Sequence, residues 1–136
     1  SIKACREYFP ANNLQLANAL NNFANFLSMC ANDHSGGMDK LKEALKLQVN
    51  AADGNMDLNC AGTLNNMGKL YMRRSRVSNK DSEGQKDAKR AEVCFIRSVH
   101  LYRMSLVKNA SEKVTEALYN LSQAREWQRE RRGILR

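Results

Sequence analysis

The sequence predicts an all-α fold built as a helical-hairpin repeat array, about two and a half repeats long. Three observations lead there. The stretch Thr63-Leu64-Asn65-Asn66-Met67-Gly68-Lys69-Leu70-Tyr71 has an earlier copy in Ala19-Leu20-Asn21-Asn22-Phe23-Ala24-Asn25-Phe26-Leu27 and a later one in Ala117-Leu118-Tyr119-Asn120-Leu121-Ser122. The spacing is regular: 20 residues separate Ala44 from Leu64 and 20 separate Ser98 from Leu118, so segments 44–70 and 98–124 superpose without a gap. Composition agrees, because one Pro, seven Gly and a lack of β-branched or aromatic runs favour helix over strand.

Taken in order, residues 1–9 read as the last turns of a preceding helix, ended by Pro10, which lacks a backbone donor. Repeat one covers 12–52. Its first helix, 12–30, carries Leu16, Leu20, Phe23, Ala24 and Leu27 at intervals of three and four, the period of a helix that buries one face. Asn32-Asp33-His34-Ser35-Gly36-Gly37 supplies a turn, and the second helix runs over 38–52 on Leu41, Ala44, Leu45 and Val49. Asp53-Gly54-Asn55 breaks it, and Asn55 or Asp57 can cap the next helix.

Repeat two covers 57–108, with helices at 57–75 and 86–108. The first presents Leu64, Met67, Gly68 and Tyr71; the second presents Ala91, Phe95, Ser98, Val99 and Tyr102. The small residues Ala24, Gly68 and Ser122 mark where a helix is expected to cross its hairpin partner closely. Between the helices, 75–84 has no apolar anchor apart from Val77 and reads as an exposed loop, inserted where extra residues cost little. That insertion accounts for 34 residues from Leu64 to Ser98 against 24 from Leu20 to Ala44. Asn109-Ala110-Ser111 then turns the chain into a last helix, a half repeat or capping helix within 111–136.

A chain of 136 residues is one domain by length, and it has no run of about 18 apolar residues to span a membrane. The first residues lack the apolar centre of a signal peptide, and a start at Ser1 reads as a segment of a longer protein. Cys5, Cys30, Cys60 and Cys94 are too dispersed for a zinc set and read as buried, reduced thiols, which points to a cytoplasmic, intracellular setting. Neither His34 nor His100 has partners at a motif spacing, so no catalytic residue, metal ligand or cofactor is assigned. The net charge of +8 is uneven: residues 1–72 hold six basic and six acidic side chains, residues 73–136 sixteen and eight.

The repeated stretch resembles the first helix of the tetratricopeptide repeat, most closely the longer form found in kinesin light chains, which typically reads T-L-N-N-L-A-x-L-Y. Thr63 to Tyr71 matches that pattern closely. Ala91, Phe95 and Ser98 fit the small, aromatic and small residues of the family's second helix, and Gly37, Leu41 and Ala44 fit it less well. The third copy departs from the pattern, with Arg125 where the earlier copies have Leu27 and Tyr71, and no second helix comes after it. A packing face that turns polar suits a capping helix.

This resemblance, which covers residues 12–124, implies a concave groove lined by the first helices of successive repeats. On the groove-facing sides stand Asn22, Asn25, Asn66, Lys69, Arg73, Asn120 and Gln123, the candidate peptide-binding residues. A planar amide donates and accepts at once, so Asn22, Asn66 and Asn120, facing solvent in the free protein, can hold an extended backbone while Lys69 and Arg73 select acidic side chains. The expectation is a non-enzymatic scaffold or adaptor for a protein or peptide partner. Self-association into a homo-oligomer is one alternative. Nucleic-acid binding on the basic C-terminal half is another, disfavoured because no aromatic stacking platform accompanies the charge.

Overall fold

The computed structural model describes residues 14–78, 81–105 and 110–135, and within them the chain forms five helices and no strand. These are α1 (Leu14–Met29), α2 (His34–Ala51), α3 (Leu58–Val77), α4 (Asp81–Arg103) and α5 (Ala110–Leu135). The expected end of a preceding helix, 1–9, lies outside the described residues. Each helix packs on the next in the chain, while α1 meets α3, and α3 meets α5, along narrower seams. The result is an all-α, repeat-like stack of two helical hairpins, α1/α2 and α3/α4, with a single helix after them.

Short polar side chains set the helix starts. The Asp33 carboxylate accepts from the Gly36 N–H at 2.9 Å and that of Asp57 from the Asn59 N–H at 2.9 Å, each satisfying a donor that a first turn leaves unpaired. Capping at Asp33 starts α2 four residues before the expected 38, so only Asn32 and Asp33 of the Asn32–Gly37 stretch lie outside a helix. At the other end of α2, Gly54 adopts φ +88 and donates its N–H to the Val49 carbonyl at 2.8 Å. A side chain is strained in that left-handed geometry, which glycine takes without penalty.

The core tracks the repeat. Leu16, Ala17 and Leu20 of α1 close on Ala44 and Leu47 of α2, and a larger cluster joins α2 to α5 through Leu41, Leu64, Leu70, Phe95 and Leu121. Ala91, Phe95 and Ser98 are all buried, as expected of a second helix, and the Ser98 hydroxyl donates to the Ala61 carbonyl of α3 at 2.8 Å. Gly68 faces Phe95 so closely that a Cβ there would stand 2.7 Å from the ring's Cδ1 and Cζ. Ala24 is likewise buried, but its third counterpart, Ser122, is exposed, because no described helix crosses α5 at that level.

Most of the expected 75–84 loop is helix: residues 75–77 belong to α3 and 81–84 to α4. α3 continues to Val77 and α4 begins at Asp81, leaving only 78–80 between them. The inserted residues lengthen the hairpin, whose helices have 20 and 23 residues against 16 and 18 in the first. Small and polar groups hold this extension, which is why apolar periodicity does not reveal it. The buried Ser75 hydroxyl donates to the Gly84 carbonyl at 2.6 Å, and a Cβ on Gly84 would meet both the Ser75 carbonyl and the Trp127 ring of α5 at 3.2 Å.

One turn further along α4, buried Asp87 accepts from both sides of the Arg74 guanidinium at 2.8 and 2.9 Å and from Arg90 at 2.8 Å. Burial acts to raise the Asp87 pKa, but the hydrogen bonds and charges of Arg74 and Arg90 together outweigh it and hold the carboxyl below its ordinary value. Arg74 also lies 5.4 Å above the centre of the Tyr71 ring, so the same side chain ties Tyr71 into the hairpin.

Of the cysteines, Cys60 and Cys94 are buried as expected, and burial pushes the Cys94 thiol up to about 11. Cys30 is exposed instead, since it falls in the turn after α1, beyond that helix's buried stripe. Cys5 lies outside the described residues. Among the described residues no helix is long and apolar enough to cross a membrane.

These contacts generate two tests. Gly68→Ala gains about 1 kcal/mol of helix propensity, yet the clash with buried Phe95 costs about 1–3 kcal/mol. The urea midpoint is expected to fall, and a rise would show that Phe95 can step aside. For Asp87, the folded pKa lies below the ordinary 3.8, so its contribution is complete above pH 3.8 and is lost as pH falls through the folded value. Asp87→Asn is expected to lower the urea midpoint near neutral pH and to flatten the acid fall in stability, and parallel acid profiles would refute the role of the ion pair.

Candidate functional site

A cleft of about 360 Å³ lies between α3 and α5. Lys69, Met72, Arg73 and Arg76 form one wall, at positions i, i+3, i+4 and i+7 of α3, so a single helical face supplies all four. Tyr119, Asn120 and Gln123 of α5 form the other, and the buried ring of Phe95 from α4 closes the base. The lining has three cations and no carboxylate. Phe95 is also the ring that Gly68 admits, so the close α3/α4 crossing shapes the cleft.

The three cations differ in their commitments. Lys69 Nζ lies 2.9 Å from Glu116 Oε1, and the bond from Lys69 is the main reason the Glu116 carboxyl sits below its ordinary pKa, against a smaller upward push from burial. Arg73 donates to the Ser28 hydroxyl at 3.2 Å, and that hydroxyl lies 2.8 Å from His34 Nδ1. Burial first, and the Arg73 charge second, lower the His34 pKa, which favours the neutral imidazole that can accept from Ser28. Arg76 is exposed in the last turn of α3, where a cation complements the helix dipole. Neither Arg73 nor Arg76 meets a carboxylate among the described residues, so both keep charge available to a ligand.

Four of the seven expected site residues, Lys69, Arg73, Asn120 and Gln123, meet in this cleft. Asn22 and Asn25 stay on α1, outside the lining. Asn66, expected to face solvent as the middle member of a peptide-holding ladder, is half-buried and donates to the Asn21 carbonyl oxygen at 2.9 Å. Asn120 donates in the same way to Asn65 at 3.1 Å. Each pair joins the first Asn position of one copy to the second Asn of the next, so these amides fasten adjacent first helices. Asn21 and Thr63 extend the seam, with Asn21 donating to the Thr63 hydroxyl at 2.9 Å and Thr63 donating to Gln48 Oε1 at 2.7 Å. A narrow helix–helix seam and an open groove occupy neighbouring sides of one helix, and spacing alone does not separate them.

Met72, Arg76, Phe95 and Tyr119 complete the lining beyond the expected set. Arg76 was legible only by continuing α3 past residue 75, since it lies seven residues after Lys69. Elsewhere, Ser28 and His34 are bonded but do not form an accessible reactive pair. Ser28 is buried, its third neighbour is the cation Arg73, and the adjacent Asp33 carboxylate is used in capping α2. Among the described residues no three His, Cys, Asp or Glu side chains gather as a metal set. Comparison of the chain with protein-family models, curated proteins and solved structures finds no match.

The amide seam makes a quantitative expectation. Asn66→Ala and Asn120→Ala each remove one interhelical hydrogen bond and are expected to cost about 0.5–1.5 kcal/mol, whereas Asn22→Ala, which has no such partner, leaves the urea midpoint unchanged. Equal effects at all three positions would show that the pairing is not what stabilises the seam.

Proposed function

We propose that this chain is a tetratricopeptide-type interaction module, similar to those of kinesin light chains, that holds an extended acidic segment of a protein partner in the α3/α5 cleft. The supporting observation is the lining itself: three cations, no carboxylate, an exposed Tyr119 and two amides. Arg73 and Arg76 attract acidic side chains in the ligand, with Arg geometry suited to a carboxylate's two oxygens. Backbone recognition falls to Asn120, whose carbonyl oxygen is not used in its bond to Asn65, and to Gln123, rather than to a ladder of three asparagines. Tyr119, 62% exposed, offers an apolar surface with a polar tip beside these groups. The protein acts in this reading as a scaffold or adaptor in the cytoplasm, with no reaction of its own.

The test is an array of short peptides of graded charge, with fluorescence anisotropy on an acidic member. Binding is expected to favour acidic peptides and to weaken about tenfold or more in the Arg73→Glu/Arg76→Glu protein, equivalent to about 1.4 kcal/mol or more. Circular dichroism should be unchanged in that variant. Single-stranded RNA and duplex DNA form a second arm. Tighter binding to either of them, weakening steeply with salt, would replace the peptide reading with nucleic-acid recognition.

A further inference from the structure

Charge in the α3/α5 cleft is unevenly committed, and that narrows the ligand. Of the three cations in the lining, Lys69 is already paired with Glu116, so the charge left over belongs to Arg73 and Arg76. Residues three apart on a helix are neighbours, with Cβ atoms about 5–6 Å apart. Two long guanidinium side chains at that spacing can close on one small anion. Arg73 gives one N–H to the Ser28 hydroxyl at 3.2 Å, while Arg76 is exposed and makes no hydrogen bond or ion pair among the described residues. On the opposite wall, Gln123 has no hydrogen-bond partner among the described residues, and Asn120 keeps a second amide N–H beyond its bond to Asn65.

Two open cations set the charge that the ligand should bring to one point. A carboxylate brings one negative charge and two oxygens, which a single guanidinium fork satisfies, leaving the second arginine unmatched. A phosphate monoester brings a charge of about −1.5 to −2 at neutral pH and three acceptor oxygens, enough for both forks. We propose that the cleft takes the phosphoryl group of a phosphorylated side chain on the partner protein, held between Arg73 and Arg76 with the Gln123 amide opposite. This deepens the reading of the cleft as a site for an acidic protein segment, and rests on it. Met72, Phe95 and Tyr119 line the same cleft and give the carbon stem of the ester an apolar wall, which free phosphate cannot use.

Arg73 also links the cleft to a group that can report on it. The Ser28 hydroxyl that it binds lies 2.8 Å from His34 Nδ1. The charges facing His34 are Asp33 at its own helix start and Arg73 and Arg74 of α3. Burial first, then Arg73 and to a smaller extent Arg74, lower the His34 pKa, and Asp33 raises it. A dianion seated on Arg73 offsets part of the arginine effect, so the His34 pKa rises when the cleft is occupied.

The test uses the full chain and three versions of one short acidic peptide that differ at a single position, which is serine, phosphoserine or glutamate. Affinities are read by fluorescence anisotropy, and His34 is titrated by NMR in each complex. The phosphoserine version is expected to bind about tenfold or more tighter than the glutamate version and to raise the His34 pKa. Arg76→Lys keeps the charge but removes the fork. Since Arg76 holds nothing else among the described residues, this variant should keep its circular dichroism and its affinity for the glutamate version while losing most of the phosphoserine preference. Equal affinity for phosphoserine and glutamate would overturn the phosphoryl inference and leave the acidic-segment reading standing, whereas binding of none of the three would overturn both. A preference kept in full by Arg76→Lys, with His34 unmoved, would put the phosphate on another basic surface and overturn the proposal. Inorganic phosphate and vesicles containing an anionic phospholipid form the last arm. Competition by either as strong as that of the phosphopeptide would reassign the cleft to free phosphate or to a membrane headgroup.

Discussion

The absence of a side chain at position 68 is the constraint on which the second hairpin rests. Phe95 fills the space a Cβ would take, and that contact lets α3 and α4 approach closely enough for Ser98 to reach the Ala61 carbonyl and Ser75 to reach that of Gly84. These are hydrogen bonds to backbone groups already used in helices, so their value lies in satisfying buried hydroxyls at a tight crossing rather than in adding new pairing. Beyond the crossing, the Arg74–Asp87–Arg90 set takes over where small apolar contacts end. The candidate cleft inherits its shape from the same constraint, because the ring that Gly68 admits is the ring at the cleft's base.

Polar groups do two different jobs on neighbouring faces of α3. Asn65 and Asn66 point along the seam toward α5 and α1, where amide pairs join successive repeats at a fixed offset. Lys69, Arg73 and Arg76 line the cleft, where Lys69 is paired with Glu116 and the charge of Arg73 and Arg76 is left open. One helix therefore carries its structural polarity and its candidate recognition polarity within a turn of each other. Arg73 belongs to both, since its bond to Ser28 crosses to α1 and through Ser28 to His34 at the start of α2.

The fold was legible in the sequence where apolar and small residues repeat. Leu20, Leu64 and Leu121 are buried, and Ala91, Phe95 and Ser98 occupy the positions expected of them. It was illegible at the end of α3 and the start of α4, which are held by a buried serine, a glycine and the ion pair of Arg74 with Asp87, none of which registers as apolar periodicity. The cleft was legible in part. Lys69, Arg73, Asn120 and Gln123 share it because their spacing on α3 and α5 is right, while Arg76 was hidden because apolar periodicity fades before α3 ends. Asn66 sits on a seam rather than in the groove for a different reason: helical period places a residue on a side of the helix, and only the neighbouring helix decides which of the two that side becomes.

Glu116 gives the cleft a resident competitor. Its carboxylate already sits on Lys69 at 2.9 Å and lies 3.5 Å from the Asn65 amide, so in the proposed reading an acidic side chain reaching Lys69 would displace a group held on the same molecule. A tethered competitor acts at high effective concentration and cannot be diluted away. With both partners substantially solvated, the pair itself is worth only about 0–1 kcal/mol, so displacement is easy for a ligand that also engages Arg73 and Arg76 and unrewarding for one that does not. A lone carboxylate gains little over Glu116, whereas several spaced along one strand gain a great deal. Under the proposed peptide reading, the pair would set a threshold that depends on the number of charges presented together rather than on the strength of any one.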